Sequence, residues 1–124
     1  MRISKAICAI KNRKDFAVMS AKADKIVTKN CVILARNASD LSPTLVNKVS
    51  AGFIVSKKIG GAVERNRTKR RLRAAVAGLF PEIASQGFAY VMIARKSALM
   101  ADFDEIIRDL RYGVKKLKGA VVKD

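Results

Sequence analysis

Apolar and polar positions along the chain follow two periods, and their order lays out an α-β-β-α-β-α domain. Lys11 to Ala21 has a helical repeat, with Ile10, Phe16 and Met19 on one side and Lys11, Arg13 and Lys14 outward. From Lys29 to Arg36 the period drops to two. Cys31, Ile33 and Ala35 alternate with Val32, Leu34 and Arg36, as in a strand. Asn37 to Lys48 carries Asn, Ser, Asp and Pro43 and reads as a loop, long enough to imply movement or use. Val49 to Ser56 is a second strand. Val49, Ala51, Phe53 and Val55 face one way, and Ser50, Gly52, Ile54 and Ser56 the other.

Ala62 to Phe80 returns to the helical period. Leu72, Ala75, Val76 and Leu79 gather in one arc that must face a core, and Pro81 is expected to break the helix. A turn at Gln86-Gly87 leads into a third strand, Phe88 to Arg95. Phe88, Tyr90, Met92 and Ala94 oppose Ala89, Val91, Ile93 and Arg95. Asp102 to Lys118 is a last helix, with an apolar stripe of Phe103, Ile106, Ile107, Leu110, Val114 and Leu117. Asp102 and Glu105 resemble a capping box, and Lys115, Lys116 and Lys118 suit a helix C-terminus. Strands mixed with helices in this order make an α+β fold, helices packed on one sheet. Residues 1–124 are expected to form one domain, with 119–124 a frayed tail.

Charge changes the picture. The chain holds 26 Lys+Arg against 10 Asp+Glu, a formal net charge of +16 over 124 residues, and the sequence pI is near 10.5. Such an excess points to a polyanion: nucleic acid, an anionic membrane surface or an acidic protein. A hydrophobic content of 50% is enough to build a core, so this is no disordered basic tail. The sequence contains no histidine, which removes the commonest general acid/base and metal ligand. Cys8 and Cys31 fit neither a CxxC pair nor a zinc knuckle and read as reduced structural thiols. The apolar run in Met1 to Ile10 is too short for a secretory leader, and no stretch is long and apolar enough to span a bilayer. A cytoplasmic location follows as the expectation.

The cations concentrate between Ser56 and Arg73, where Lys57, Lys58, Arg65, Arg67, Lys69, Arg70, Arg71 and Arg73 meet only one acid, Glu64. A solvated helix normally carries i,i+4 acids as partners, and their absence favours a phosphate backbone as the ligand. Arg65, Lys69 and Arg73 run along one edge of the apolar arc, with Arg67, Arg70 and Arg71 opposite. Lys57-Lys58-Ile59-Gly60-Gly61 could cradle a phosphate on backbone N–H groups, or simply turn the chain from strand to helix. It is no Walker A loop, because no Lys-Ser/Thr follows the second glycine. Phe88 reads as core. Phe16 and Phe53 could equally be core or line a groove where unpaired bases stack. The acids are scattered, apart from Asp102, Asp104 and Glu105 at a helix start, which argues against a metal-dependent nuclease site.

The segment Ser56 to Arg73 resembles the central motif of the bacterial ribonuclease P protein component. The match is carried by Ser56, Lys57, Lys58, Gly60, Ala62, Val63, Arg65, Asn66, Arg67, Lys69, Arg70 and Arg73, with support from Lys14-Asp15-Phe16 and Ala94-Arg95-Lys96. The resemblance implies an α-β-β-β-α-β-α order with a left-handed βαβ crossover, like the second domain of the fifth small-subunit ribosomal protein. It implies a subunit that binds a catalytic RNA and the 5′ leader of precursor tRNA, while the RNA hydrolyses the phosphodiester with magnesium that it largely holds itself. No catalytic residue, cofactor or metal of its own, membrane or protein oligomer is implied. Lys57, Lys58, Arg65, Asn66, Arg67, Lys69, Arg70 and Arg73 would meet the catalytic RNA, with Asn66 supporting RNA-bound metal. Phe16, Leu34, Ile54, Ser56, Arg65, Lys69 and Arg73 would form the leader cleft. Ser20 and Leu34 stand where relatives often carry aromatic rings, and Ile54 where a small polar residue is common, so fewer rings are left to stack. A structural RNA-binding protein of ribosomal type is the alternative that the basic segment alone leaves open.

Overall fold

A computed structural model describes residues 7–121, with side chains as far as Leu117. The reading of a short apolar start falls largely on residues 1–6, outside the described residues, as do 122–124 of the expected tail. The elements run β1 (Ile7–Ala9), α1 (Arg13–Lys22), β2 (Asp24–Val27), β3 (Cys31–Asn37), β4 (Val49–Ile54), α2 (Ala62–Ile83), β5 (Phe88–Ala94) and α3 (Phe103–Val121). The five strands form one sheet in the order β1-β4-β5-β3-β2. β1 and β5 both lie parallel to β4, while β3 is antiparallel to β5 and to β2. The βαβ crossover is therefore β4-α2-β5. The order after β1 is the α-β-β-β-α-β-α of the resemblance.

Both faces of the sheet are covered, which explains why its central strands alternate between two sets of apolar residues. Cys31, Ile33, Ala51, Tyr90 and Met92 point to one face and pack under α2 and α3. Leu72, Ala75, Val76 and Leu79 of α2 are buried there, together with Phe80 and Ile83, and so are Ile106, Leu110, Val114 and Leu117 of α3. The Phe80 and Tyr90 rings meet edge to face at 5.0 Å, and the Tyr90 hydroxyl accepts from the Ser85 N–H. On the other face Leu34, Ala89 and Val91 pack against Ile10 and Met19, and against Ala38, Leu41 and Leu45 from the long β3–β4 loop. That loop is thus a packed cover built on two short 3-10 turns.

Two expectations change. The helix break at Pro81 does not occur: α2 continues to Ile83. Pro81 sits in the last turn with its ring exposed, where its missing N–H removes one bond to the Ala77 carbonyl, and buried Ile83 anchors the turn beyond it. Phe103, placed in the apolar stripe of α3, is 41% exposed because it opens the helix before the stripe reaches the core. α3 runs to Val121.

Candidate RNA-binding surface

The turn before α2 shows what the glycine pair does for the backbone. Gly60 has φ +151°, a conformation that disfavours L side chains, and a Cβ there would lie 2.9 Å from the Glu64 Cβ. The turn uses its own backbone donors. Ile59 N–H donates to Ser56, Gly60 N–H to Lys57, and Gly61 N–H to the Glu64 carboxylate at 3.1 Å. These three groups are occupied in turning the chain from strand to helix, and Lys57 and Lys58 are exposed on the turn. Glu64, the lone acid of the motif, is spent on the same helix start.

α2 then sorts its cations into three directions. Asn66, Arg67 and Arg70 are exposed on the side away from the buried arc, around Val63, which is itself 77% exposed. Lys69 and Arg73 lean over one flank. Arg71 leaves the opposite group in which the sequence placed it. Its guanidinium donates to the carbonyls of Ala98 at 3.3 Å, Leu99 and Ala101, tying α2 to the turn before α3. Arg65 is half-buried, and its Nε has no hydrogen-bond partner among the described residues.

The flank carrying Lys69 and Arg73 faces a groove of about 380 Å³, lined by Ala9, Ile10, Lys11, Phe16, Ala51, Gly52 and Phe53 together with those two cations. It opens where β1 ends at Ala9 while β4 runs on to Ile54, so that residues from both faces of the sheet reach it. The Arg73 guanidinium lies over the Phe53 ring, 6.0 Å from its centre. Phe16 and Phe53 are both half-buried, each packed on one side and open on the other. Both rings therefore belong partly to the core and partly to the groove.

Not every residue assigned to the cleft reaches it. Phe16, Lys69 and Arg73 come together. Leu34 is only 4% exposed, in the core layer that includes Met19 of α1, and offers no surface to a ligand. Ile54 is half-buried against the same core layer, Ser56 caps the turn by accepting from the Lys58 N–H, and Arg65 lies outside the lining. Lys11 and Gly52 line the groove and were not legible as site residues. Nothing in the sequence around Gly52 shows that Phe16 lies against it.

Several of the acids are committed to structure. Asp15 is buried and accepts from the Ser42 N–H at 3.0 Å and the Ser42 hydroxyl at 2.7 Å. Asp109 accepts from the Thr28 hydroxyl and the Asn30 N–H. Arg36 holds the Asp40 carboxyl below its usual range, and Glu105 is likewise held down by Lys29. Among the described residues no three His, Cys, Asp or Glu side chains gather as metal ligands. Cys8 and Cys31 are both free thiols. No helix among the described residues is long and apolar enough to cross a membrane.

Such a molecule is a small basic α+β domain with a cationic helix beside a groove that holds two half-buried aromatic rings. The family model described as Ribonuclease P matches residues 5–118, and the chain belongs to that family. It is 39% identical over 114 residues to the ribonuclease P protein component of Paramagnetospirillum magneticum, covering 92% of this chain and 84% of that one. It is 35% identical to that of Ruegeria pomeroyi, covering 92% and 89%. Among solved structures, the Staphylococcus aureus RNase P protein superposes with a TM-score of 0.74 at 25% identity, over 89% of this chain and 94% of that one. The Thermotoga maritima RNase P protein shares the fold with a TM-score of 0.71 at 23% identity, over 84% and 92%.

Proposed function

We propose that this chain is the protein subunit of a bacterial ribonuclease P, and that its two cationic surfaces hold two different RNAs. The exposed group of Lys57, Lys58, Asn66, Arg67 and Arg70 grips the phosphates of the catalytic RNA. The groove of Lys11, Phe16, Phe53, Lys69 and Arg73 takes the unpaired 5′ leader of precursor tRNA. The observation that carries this reading is the division of α2, which sends Lys69 and Arg73 to a groove with two half-open aromatic rings while Arg67 and Arg70 point away. Guanidinium groups suit phosphate oxygens, and an aromatic face accepts any base. The hydrolysis of the leader phosphodiester is assigned to the RNA subunit and its magnesium. The protein's part is to bind, to orient the leader and to neutralise crowded phosphates, which lowers the magnesium that the complex needs.

The ribosomal-type alternative shares the basic surface but is not favoured by the family match. The two separate on RNA preference. With the catalytic RNA bound, this chain should raise affinity for precursor tRNA over mature tRNA. Equal enhancement for both, or none, would remove the leader from the account.

A further inference from the structure

A third cationic face remains, on α3. Arg108, Arg111, Tyr112 and Lys115 are exposed on the side opposite buried Ile106, Leu110 and Leu117. At 100° per residue they fall within an arc of about 100°. Tyr112 is 53% exposed, and the Lys116 ammonium lies 5.9 Å from its ring centre. None of these cations has a carboxylate partner among the described residues, where the ion pairs are Lys29–Glu105 and Arg36–Asp40. The one acid on this side is Asp104, at the N-terminal end, and Asp109 is turned to Thr28 and Asn30.

The helix macrodipole does not explain them. It favours cations within the last turn, and α3 runs to Val121, well beyond Arg108 and Arg111. A membrane-lying helix would need an apolar face, and that of α3 is already buried in the core. Cations a turn apart beside one open aromatic ring match an RNA strand, with phosphates on the cations and an unpaired base on the ring.

We propose that this face of α3 is a further RNA-binding surface that holds an unpaired segment of the catalytic RNA, with a base on Tyr112 and flanking phosphates on Arg108, Arg111 and Lys115. It rests on the reading that the catalytic RNA is the partner. α2 and α3 pack together on one face of the sheet, so one RNA can reach both.

The test uses the full chain reconstituted with a bacterial ribonuclease P RNA. Tyr112 and Tyr90 are the only tyrosines, and Tyr90 is 2% exposed, so chemical nitration read by mass spectrometry reports on Tyr112 with an internal control. RNA binding should protect Tyr112 from nitration. Tyr112→Leu should weaken binding about five- to hundredfold. The Arg108→Gln/Arg111→Gln/Lys115→Gln variant should flatten the salt dependence of binding by about two in log–log slope, with an unchanged melting curve. Tyr112 nitrated as fast in the complex as in the free protein overturns the proposal, as does an unchanged salt slope. If Arg67→Gln/Arg70→Gln weakens the complex while the α3 changes do not, α2 keeps its role and α3 loses the one proposed here. No binding of the unaltered chain to the RNA would overturn both.

Discussion

The Phe16 ring lies so close to Gly52 that a Cβ at position 52 would sit 2.8 Å from both Cε1 and Cζ. The pair joins α1 to β4 at the floor of the groove, and the missing side chain is what lets the ring lie there. Gly52→Ala should push the ring aside and cost about 1–3 kcal/mol of stability. In a Phe16→Ala background the same change should cost little, because the clash has gone. A double-mutant cycle in urea checks this, and strictly additive losses would mean that the two residues do not share the site.

The same ring predicts a binding effect. In the reconstituted complex, Phe16→Ala should weaken precursor tRNA binding by about 1–3 kcal/mol and leave mature tRNA, which has no leader, about as before. Parallel titrations with the two tRNAs measure the difference. Equal losses would assign Phe16 to the core alone.

Arg70 and Arg71 are neighbours in sequence with different fates. Arg70→Ala should leave stability within about 0.5 kcal/mol and reduce the salt slope of RNA binding by about one. Arg71→Ala removes the donor that ties down three carbonyls before α3, and should cost about 1–3 kcal/mol of stability. Unfolding curves and salt titrations on both variants separate the roles.

Burial raises the Cys31 thiol to about 11 from 9.0, with the Thr28 hydroxyl opposing the shift and the Asp109 charge adding to it. The unfolded chain therefore loses this proton at lower pH than the folded one. The stability involved is fully present below pH 9 and is lost as pH rises toward about 11, roughly 2–3 kcal/mol over the window. Subtracting the pH–stability curve of Cys31→Ala from that of the unaltered chain should isolate the fall. At neutral pH, half-buried Cys8 should react with a thiol reagent well before Cys31 does.

The long elements were legible because their patterns are long. α2 and α3 each bury one stripe over several turns, and β3, β4 and β5 alternate between two cores. β1 and β2 were missed because three or four residues carry too little pattern. Ile7–Ala9 is a strand only by pairing with β4, and Asp24–Val27 only by pairing with β3. The site was half legible. The density of cations marked α2, but their sorting depends on tertiary neighbours. Arg71 is structural because carbonyls of the turn before α3 lie in its reach, and Leu34 is buried because α1 covers it. Lys11 and Gly52 enter the groove only because β1 stops short beside β4.

The central claim is that this chain binds RNA and leaves the chemistry to its RNA partner. Its most direct test is cleavage of precursor tRNA at low magnesium by the protein alone, by a bacterial ribonuclease P RNA alone, and by the two together. The account predicts leader removal only when both are present, and a lower magnesium requirement than that of the RNA alone. Magnesium-dependent cleavage by RNA-free protein, or a complex no more active than bare RNA, would contradict it.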